Sequence, residues 1–405
     1  MGKKTKILAI DLGTFCDNNL MINAISELHK TFDVIYLTDA DNKLAAAVGR
    51  FHEIIHFKTP SFFINDPELK IADTNHNIML WVLKHPADAY MAFDWRTSMV
   101  SKIHEILALY DIQKIIILYP AMFLLWQIEN DIFKKYPTYI LYYAPGFVNK
   151  KIPWLFDSVL RSQNFKLYAN FARENIQSGM KYIERGITSG VGGGTSIAKK
   201  LRLLHHVFAW DQKITAGIKP YHSGLKVHKI GSILLKNETR KIPSDVMDIV
   251  KRKKKLIFMS FGSYGNSAEL KKKVMHLIGE LENYCKGEDD AHVIYHNGDY
   301  NSPYITSIRG YIPYTKIIPK CKLVVFTGSA CLANVCFYNQ VPMHFLPLLT
   351  EQYFWARNYQ HFTGCGFDTP IQFEPSKKTL KYLERVSKSM RRHDAARGLL
   401  RLLSL

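Results

Sequence analysis

The sequence predicts an α/β protein built from two Rossmann-like halves, and three observations carry that prediction. Short apolar runs of strand type recur in two series, joined near residues 235–250. Each series alternates such runs with turns and amphipathic stretches, the rhythm of βαβ units. The chain has 405 residues, 47% hydrophobic and 22% charged, which is an ordinary globular composition and enough for two or three domains with their own cores.

The first series opens with an apolar strand, Ile7 to Leu12, a turn containing Gly13, and an amphipathic helix from about Leu20 to Lys30. Strands follow at Val34 to Leu37, Ile115 to Leu118 and Tyr139 to Tyr143. The longest apolar run, Ile115 to Ile128, is broken by Pro120 and is too short to cross a membrane. Residues 150–230 are less regular, with a Gly190–Gly194 run and scattered histidines. The second series starts with strands Leu256 to Ser260 and His292 to His296. A loop bearing Ile312-Pro313-Tyr314 leads to a strand, Leu323 to Phe326, closed by Thr327-Gly328-Ser329-Ala330. A helix (Leu332 to Tyr338), a strand (Met343 to Leu346) and a helix with Glu351-Gln352 in its first turn complete it. Strand, Gly-containing turn and helix N-terminus together make a ready anion site, because backbone N–H groups and the helix dipole both favour phosphate.

The formal net charge is +19, which points to an anionic partner such as a nucleotide or an anionic lipid surface. No nucleic-acid motif with interleaved aromatics is present, so nucleic acid is not expected as a partner. Six cysteines (Cys16, Cys285, Cys321, Cys331, Cys336, Cys365) form no Cys-x-x-Cys pair and read as reduced, mostly buried thiols. The N-terminal Met-Gly-Lys-Lys-Thr-Lys lacks an apolar signal region, and Lys6 stands where a myristoylation motif needs Ser or Thr. A cytoplasmic protein, peripheral to a membrane at most, is the expectation.

Residues Gly310 to Gly366 resemble the donor-binding half of the UDP-dependent glycosyltransferases. That family has a Trp-or-Tyr-x-Pro-Gln loop, an apolar strand into a His-x-Gly turn, a Gly-Val-Pro before the next strand, then Pro, Asp-Gln and Asn-Ala. The counterparts here are Tyr311-Ile312-Pro313-Tyr314, Thr327-Gly328-Ser329, Gln340-Val341-Pro342, Pro347, Glu351-Gln352 and Trp355-Ala356. The resemblance covers nearly the whole chain, by motif in the second half and by pattern in the first. It implies a GT-B fold, two Rossmann-like domains facing across a cleft: residues 1–235 for the acceptor, 236–385 for the UDP-sugar, and a C-terminal helix in 386–405 returning to the first domain. The implied activity is inverting, metal-independent transfer of a hexose from a UDP-sugar to a hydroxyl acceptor, with no cofactor.

Site residues follow from the same resemblance. Ser260, Gly262 and Ser263 match the first donor loop, where small residues let the backbone approach the pyrophosphate; taken alone they read as a tight strand-to-helix connection. Tyr311 would stack on the base and the Ile312 backbone pair with its edge. Thr327, Gly328 and Ser329 would hold phosphate, with Thr327 standing where the family has His. The family has a ribose-binding Glu near Val335, which this chain lacks, and Asn334 is the polar residue beside that position. Glu351 and Gln352 would hold sugar hydroxyls. The family's catalytic His has Asp17 in its place, and the supporting Asp has Tyr119. A carboxylate can serve as base when burial or a neighbour adjusts its basicity, while an N-cap role is the alternative.

Three other patterns carry less. Asp39-Ala40-Asp41 mimics a metal-binding Asp-x-Asp but follows the second strand of a Rossmann-like unit. Gly190–Gly194 lacks the Gly-Lys-Ser/Thr of a phosphate loop. His205-His206 with Asp211 lacks metal-ligand spacing. Lys150 to Arg161 and Arg391 to Leu405 combine apolar and basic residues, as interfacial segments do, and packing on the protein's own core is the competing reading. A UDP-sugar epimerase and a non-catalytic nucleotide- or glycan-binding relative are the rival functions.

Overall fold

The structure, a computed structural model, describes residues 4–11, 15–38, 51–57, 99–118, 128, 130–143, 202–211, 213–214, 225–235, 241–262, 268–310, 312–347 and 350–405. Two all-parallel sheets organise them. The first has seven strands: β1 (Thr5–Asp11), β2 (Phe32–Thr38), β3 (Glu53–His56), β4 (Ile112–Leu118), β5 (Thr138–Tyr142), β6 (His205–Phe208) and β7 (Lys226–Lys229), in the order β3-β2-β1-β4-β5-β6-β7. The second has five: β8 (Lys255–Ser260), β9 (Ala291–His296), β10 (Ile305–Ile308), β11 (Cys321–Phe326) and β12 (Met343–Phe345), in the order β10-β9-β8-β11-β12. The central parallel strands are covered on both faces, so their sequences are largely apolar runs; Ile7, Leu8, Ala9 and Ile10 are all fully buried.

The helices that matter for the site are α1 (Phe15–Ile25), α2 (Asn130–Lys135), α3 (Ser244–Arg252), α4 (Ala268–Lys286), α5 (Tyr314–Ile317), α6 (Ala330–Asn339), α7 (Thr350–Thr363), α8 (Lys377–Arg392) and α9 (Ala395–Ser404). One hydrophobic cluster runs from the first sheet through α1, α6, α8 and α9 to one face of the second, where Phe258, Ile294, Val324 and Phe326 point. The other face of the second sheet, Ile257, Met259, Val293, Leu323 and Val325, packs on Val274, Leu277, Ile278 and Leu281 of α4. Alternate residues of each strand therefore serve two different layers. Among the described residues the cysteines are free thiols, and burial pushes Cys285 up to about 11. No described helix is long and apolar enough to cross a membrane.

Several boundaries differ from the sequence expectation. Helix α1 begins at Phe15, not Leu20, and ends at Ile25, with a separate 3-10 turn at Leu28–Lys30. Its first turn is tied to the strand end, since Asn18 Nδ2 donates to Asp11 Oδ2 at 2.8 Å. Strands β3, β6, β7 and β10 have no counterpart in the sequence reading. Each is four residues long, and together they carry Glu53, His205, His206, Lys226 and Lys229, which blur the apolar signal. Helix α8 is continuous across residue 385, so the return toward the first sheet begins at Asp394, whose Oδ1 caps Ala396 N–H at 3.0 Å.

Helix α9 lies against α1 and the Leu28–Lys30 turn. The return is stitched by backbone: Ser232 N–H donates to His393 O at 3.0 Å and Ala395 N–H donates to Ser232 O at 2.9 Å. Gly231 makes this approach feasible. Its φ is 93°, and a Cβ there would sit 2.0 Å from His393 O. Gly231→Ala is therefore expected to cost roughly 2–3 kcal/mol, through left-handed strain plus overpacking against backbone. Urea unfolding reads this directly; a midpoint unchanged from wild type would show that the stitch contributes nothing.

Candidate functional site

Strand order in the second sheet reverses between β8 and β11, and an open parallel sheet binds ligands beyond the carboxyl ends of its strands at such a switch point. Ser260 and Phe326 end these two strands and are direct partners across the ladder. The turns that follow, Phe261–Gly262 and Thr327–Gly328–Ser329, therefore leave the sheet side by side. Gly262 is exposed with φ 60°. Gly328 has φ 102°, and a Cβ on it would meet Phe345 Cδ1 at 3.1 Å, Gln352 Cβ at 3.2 Å and Gln352 Cα at 3.3 Å. The Gly residue thus lets the Thr327–Ser329 turn rest against the first helical turn of α7, which carries Glu351 and Gln352. Two motifs more than twenty residues apart in sequence become one surface.

Ser329 is the N-cap of α6, and its side chain makes no cap hydrogen bond, so the hydroxyl is not consumed by the helix. Thr327 is buried. Asn334 lies on the second turn of α6 and is 4% exposed; its Nδ2 donates to Ala330 O at 2.9 Å, while its buried Oδ1 has no hydrogen-bond partner. Ile312 is buried at the start of the loop into α5, and Gln352 is buried against Gly328. Ser263 and Tyr311 lie outside the described residues, and Glu351 is described only by its backbone in the first turn of α7.

The first sheet reverses order between β1 and β4. Asp11 ends β1, is fully buried, and accepts from Asn18 Nδ2 at 2.8 Å and from Tyr36 Oη at 2.9 Å, both on Oδ2. This buried carboxylate has no place in the sequence reading. The signal was present, since an acid closing a buried apolar strand must be satisfied by nearby donors. Asp17 is the third residue of α1, one position before Asn18, and so stands in the helix rather than in the loop before it, which also removes it from an N-cap position. Helix α1 packs against α6, bringing the helix that carries Asp17 against the helix that Ser329 caps.

The remaining sequence patterns fall apart or lie elsewhere. His205 Nδ1 is 3.0 Å from His228 Nε2, His206 Nδ1 is 3.0 Å from Tyr142 Oη, and Asp211 Oδ1 accepts from Lys213 N–H at 2.8 Å. The three residues thus serve three separate local contacts. Burial and the charge of Lys226 push His205 down to about 4. Among the described residues no group of three His, Cys, Asp or Glu could hold a metal. Asp39, Asp41, Tyr119, Lys150 to Arg161 and Gly190–Gly194 lie outside the described residues.

No protein-family model and no curated protein sequence matches the chain. Solved structures do match it. The glycotransferase of kitacinnamycin superposes with a TM-score of 0.69 at 11% identity, covering 100% of this chain and 99% of that one. SsfS6, a glycosyltransferase of Streptomyces sp. SF2575 solved with thymidine diphosphate, gives 0.61 at 14% identity, covering 99% of each chain. UGT2 of Phytolacca americana, complexed with UDP-2fluoro-glucose and pterostilbene, gives 0.60 at 11% identity, again covering 99% of each. At these identities the likeness establishes the fold. The chain has the two-domain GT-B architecture of glycosyltransferases.

Proposed function

We propose that this protein is a glycosyltransferase that moves a hexose from a UDP-sugar to a hydroxyl acceptor, with inversion and without a metal. The observation that carries the reading is the Thr327–Gly328–Ser329 turn, seated at the switch point of the second sheet and in contact with the helical turn of Glu351 and Gln352. Phosphate at the α6 N-terminus would leave the attached sugar beside α7. In the reaction, the acceptor oxygen attacks the anomeric carbon from the face opposite the nucleotide. The acceptor O–H proton passes to a carboxylate, for which Asp17 is the candidate; the new C–O bond forms as the bond to the diphosphate oxygen breaks. UDP leaves, its added negative charge met by the α6 N-terminus and the Ser329 hydroxyl.

Support also comes from the solved neighbours, one complexed with UDP-2fluoro-glucose and another with thymidine diphosphate. The second of these favours a dTDP-sugar as the competing donor. A panel of UDP- and dTDP-sugars, assayed for nucleotide release with and without EDTA, tests the reading. Turnover of a UDP-sugar that survives EDTA is expected. Activity lost to EDTA and restored by manganese would revive the Asp39/Asp41 pattern, and nucleotide binding without turnover would favour a non-catalytic relative.

Sugar recognition can be probed separately. Glu351→Ala and Gln352→Ala should leave affinity for UDP nearly intact and weaken discrimination among UDP-sugars, by roughly 0.5–3 kcal/mol for each lost hydroxyl contact. Calorimetry with UDP against UDP-hexoses checks this. Equal losses for UDP alone would remove these residues from the sugar site.

A further inference from the structure

Strand β9 ends at His296, and Asn297 follows with φ 58°. Together they hold both polar groups of Gly310. Asn297 Oδ1 accepts from the Gly310 N–H at 3.1 Å, and His296 Nε2 lies 2.7 Å from the Gly310 carbonyl oxygen. A carbonyl only accepts, so Nε2 carries the proton and Nδ1 is the acceptor. Two hydroxyls flank that acceptor, Ser260 Oγ and Tyr314 Oη, each at 3.2 Å. The ring is buried, stacks on Phe258 with centroids 6.0 Å apart, and meets the Tyr314 ring edge-on at 5.7 Å. Burial lowers the His296 pKa, opposed in part by the Gly310 carbonyl, which keeps the neutral tautomer in place.

One imidazole therefore joins three segments of the second domain. Ser260 ends β8 and is paired with His296 across the ladder. Gly310 and Tyr314 bound the five-residue loop that contains Tyr311 and Ile312, so that loop is pinned to the same ring at both ends. We propose that His296, with Asn297, is a positioning residue for nucleotide binding, fixing the Gly310–Tyr314 loop at a set distance from the Ser260–Gly262 turn. The proposal rests on the donor reading above, in which the loop meets the base and the turn meets the diphosphate. A loop held in its bound shape before the ligand arrives loses less conformational freedom on binding, and the gain appears as affinity.

The test uses His296→Phe, which keeps an aromatic ring in the slot and removes all three hydrogen bonds, and His296→Gln, whose amide can donate again to Gly310. Two readouts are needed: the Kd for UDP and dTDP by calorimetry, and backbone amide exchange across residues 309–314. Phe should raise Kd and donor KM by about 10-fold or more, with kcat at saturating donor changed less than about threefold. Exchange in the loop should speed up, and Gln should recover much of both effects. A folded His296→Phe protein with Kd within about twofold of wild type, or kcat falling as far as KM rises, overturns the proposal. Wild-type protein that binds neither nucleotide overturns the donor reading instead, while loop exchange unchanged by His296→Phe overturns the clamp whatever binds. Should His296→Phe fail to fold, Tyr314→Phe removes one pin alone; its loop exchange should rise, and an unchanged rate counts against the clamp.

Discussion

Asp17→Asn is expected to lower the rate of the proposed sugar transfer by about 10²–10⁴-fold, the usual contribution of a general base, with nucleotide affinity and melting temperature close to wild type. The expectation rests on where α1 runs. Its first turn starts just past the carboxyl end of β1, at the switch point of the first sheet, and α1 packs against α6 of the second domain. Asn18 is anchored to Asp11, so the turn carrying Asp17 is held rather than hinged. Asn has the shape of Asp but cannot take a proton, so the substitution isolates the chemistry. The competing role is structural, because acids are favoured in the first turn of a helix. Asp17→Asn protein that transfers sugar at the wild-type rate would leave only that role. Single-turnover measurement with saturating donor separates the chemical step from binding.

The second half of the molecule was legible because its strands are central and buried. Leu256 to Ser260, His292 to His296 and Leu323 to Phe326 each emerge as strands within a residue or two, and the turn after Phe326 falls at the switch point. Helix α1 was misplaced at its start because Cys16, Asp17, Asn18 and Asn19 read as a polar loop. Asn18 in that turn is held by a long-range bond to Asp11, which no local pattern announces. The short strands β3, β6, β7 and β10 escaped for a related reason: four residues span only two repeats of the alternating pattern, and partial exposure admits Glu, His and Lys. The His296 clamp was also out of reach. Its partners stand 36, 14 and 18 positions away, and only tertiary structure brings them to one ring.

Acidification is expected to destabilise the fold between pH 6.5 and about 4, and His344 is one of the residues behind the effect. His344 lies in β12, is 5% exposed, and its Nδ1 has no hydrogen-bond partner. Burial pushes its pKa from 6.5 down to about 4. Above pH 6.5 the imidazole is neutral whether the chain is folded or not, so it makes no pH-dependent contribution there. Below 6.5 the unfolded chain takes up a proton that the folded protein refuses, and stability falls as pH falls, by about 1.4 kcal/mol per pH unit. Below about 4 both states are protonated and the loss levels off, near roughly 3 kcal/mol for this residue. Burial lowers His205, also to about 4, and lowers His292, His296 and His228 in the same direction. His344→Gln removes the titration while keeping a polar side chain of similar reach. Urea midpoints taken from about pH 7.5 to about 4.5 should decline more gently in the variant than in wild type. Parallel curves would mean that His344 is protonated in the folded protein and that its burial costs nothing on acidification.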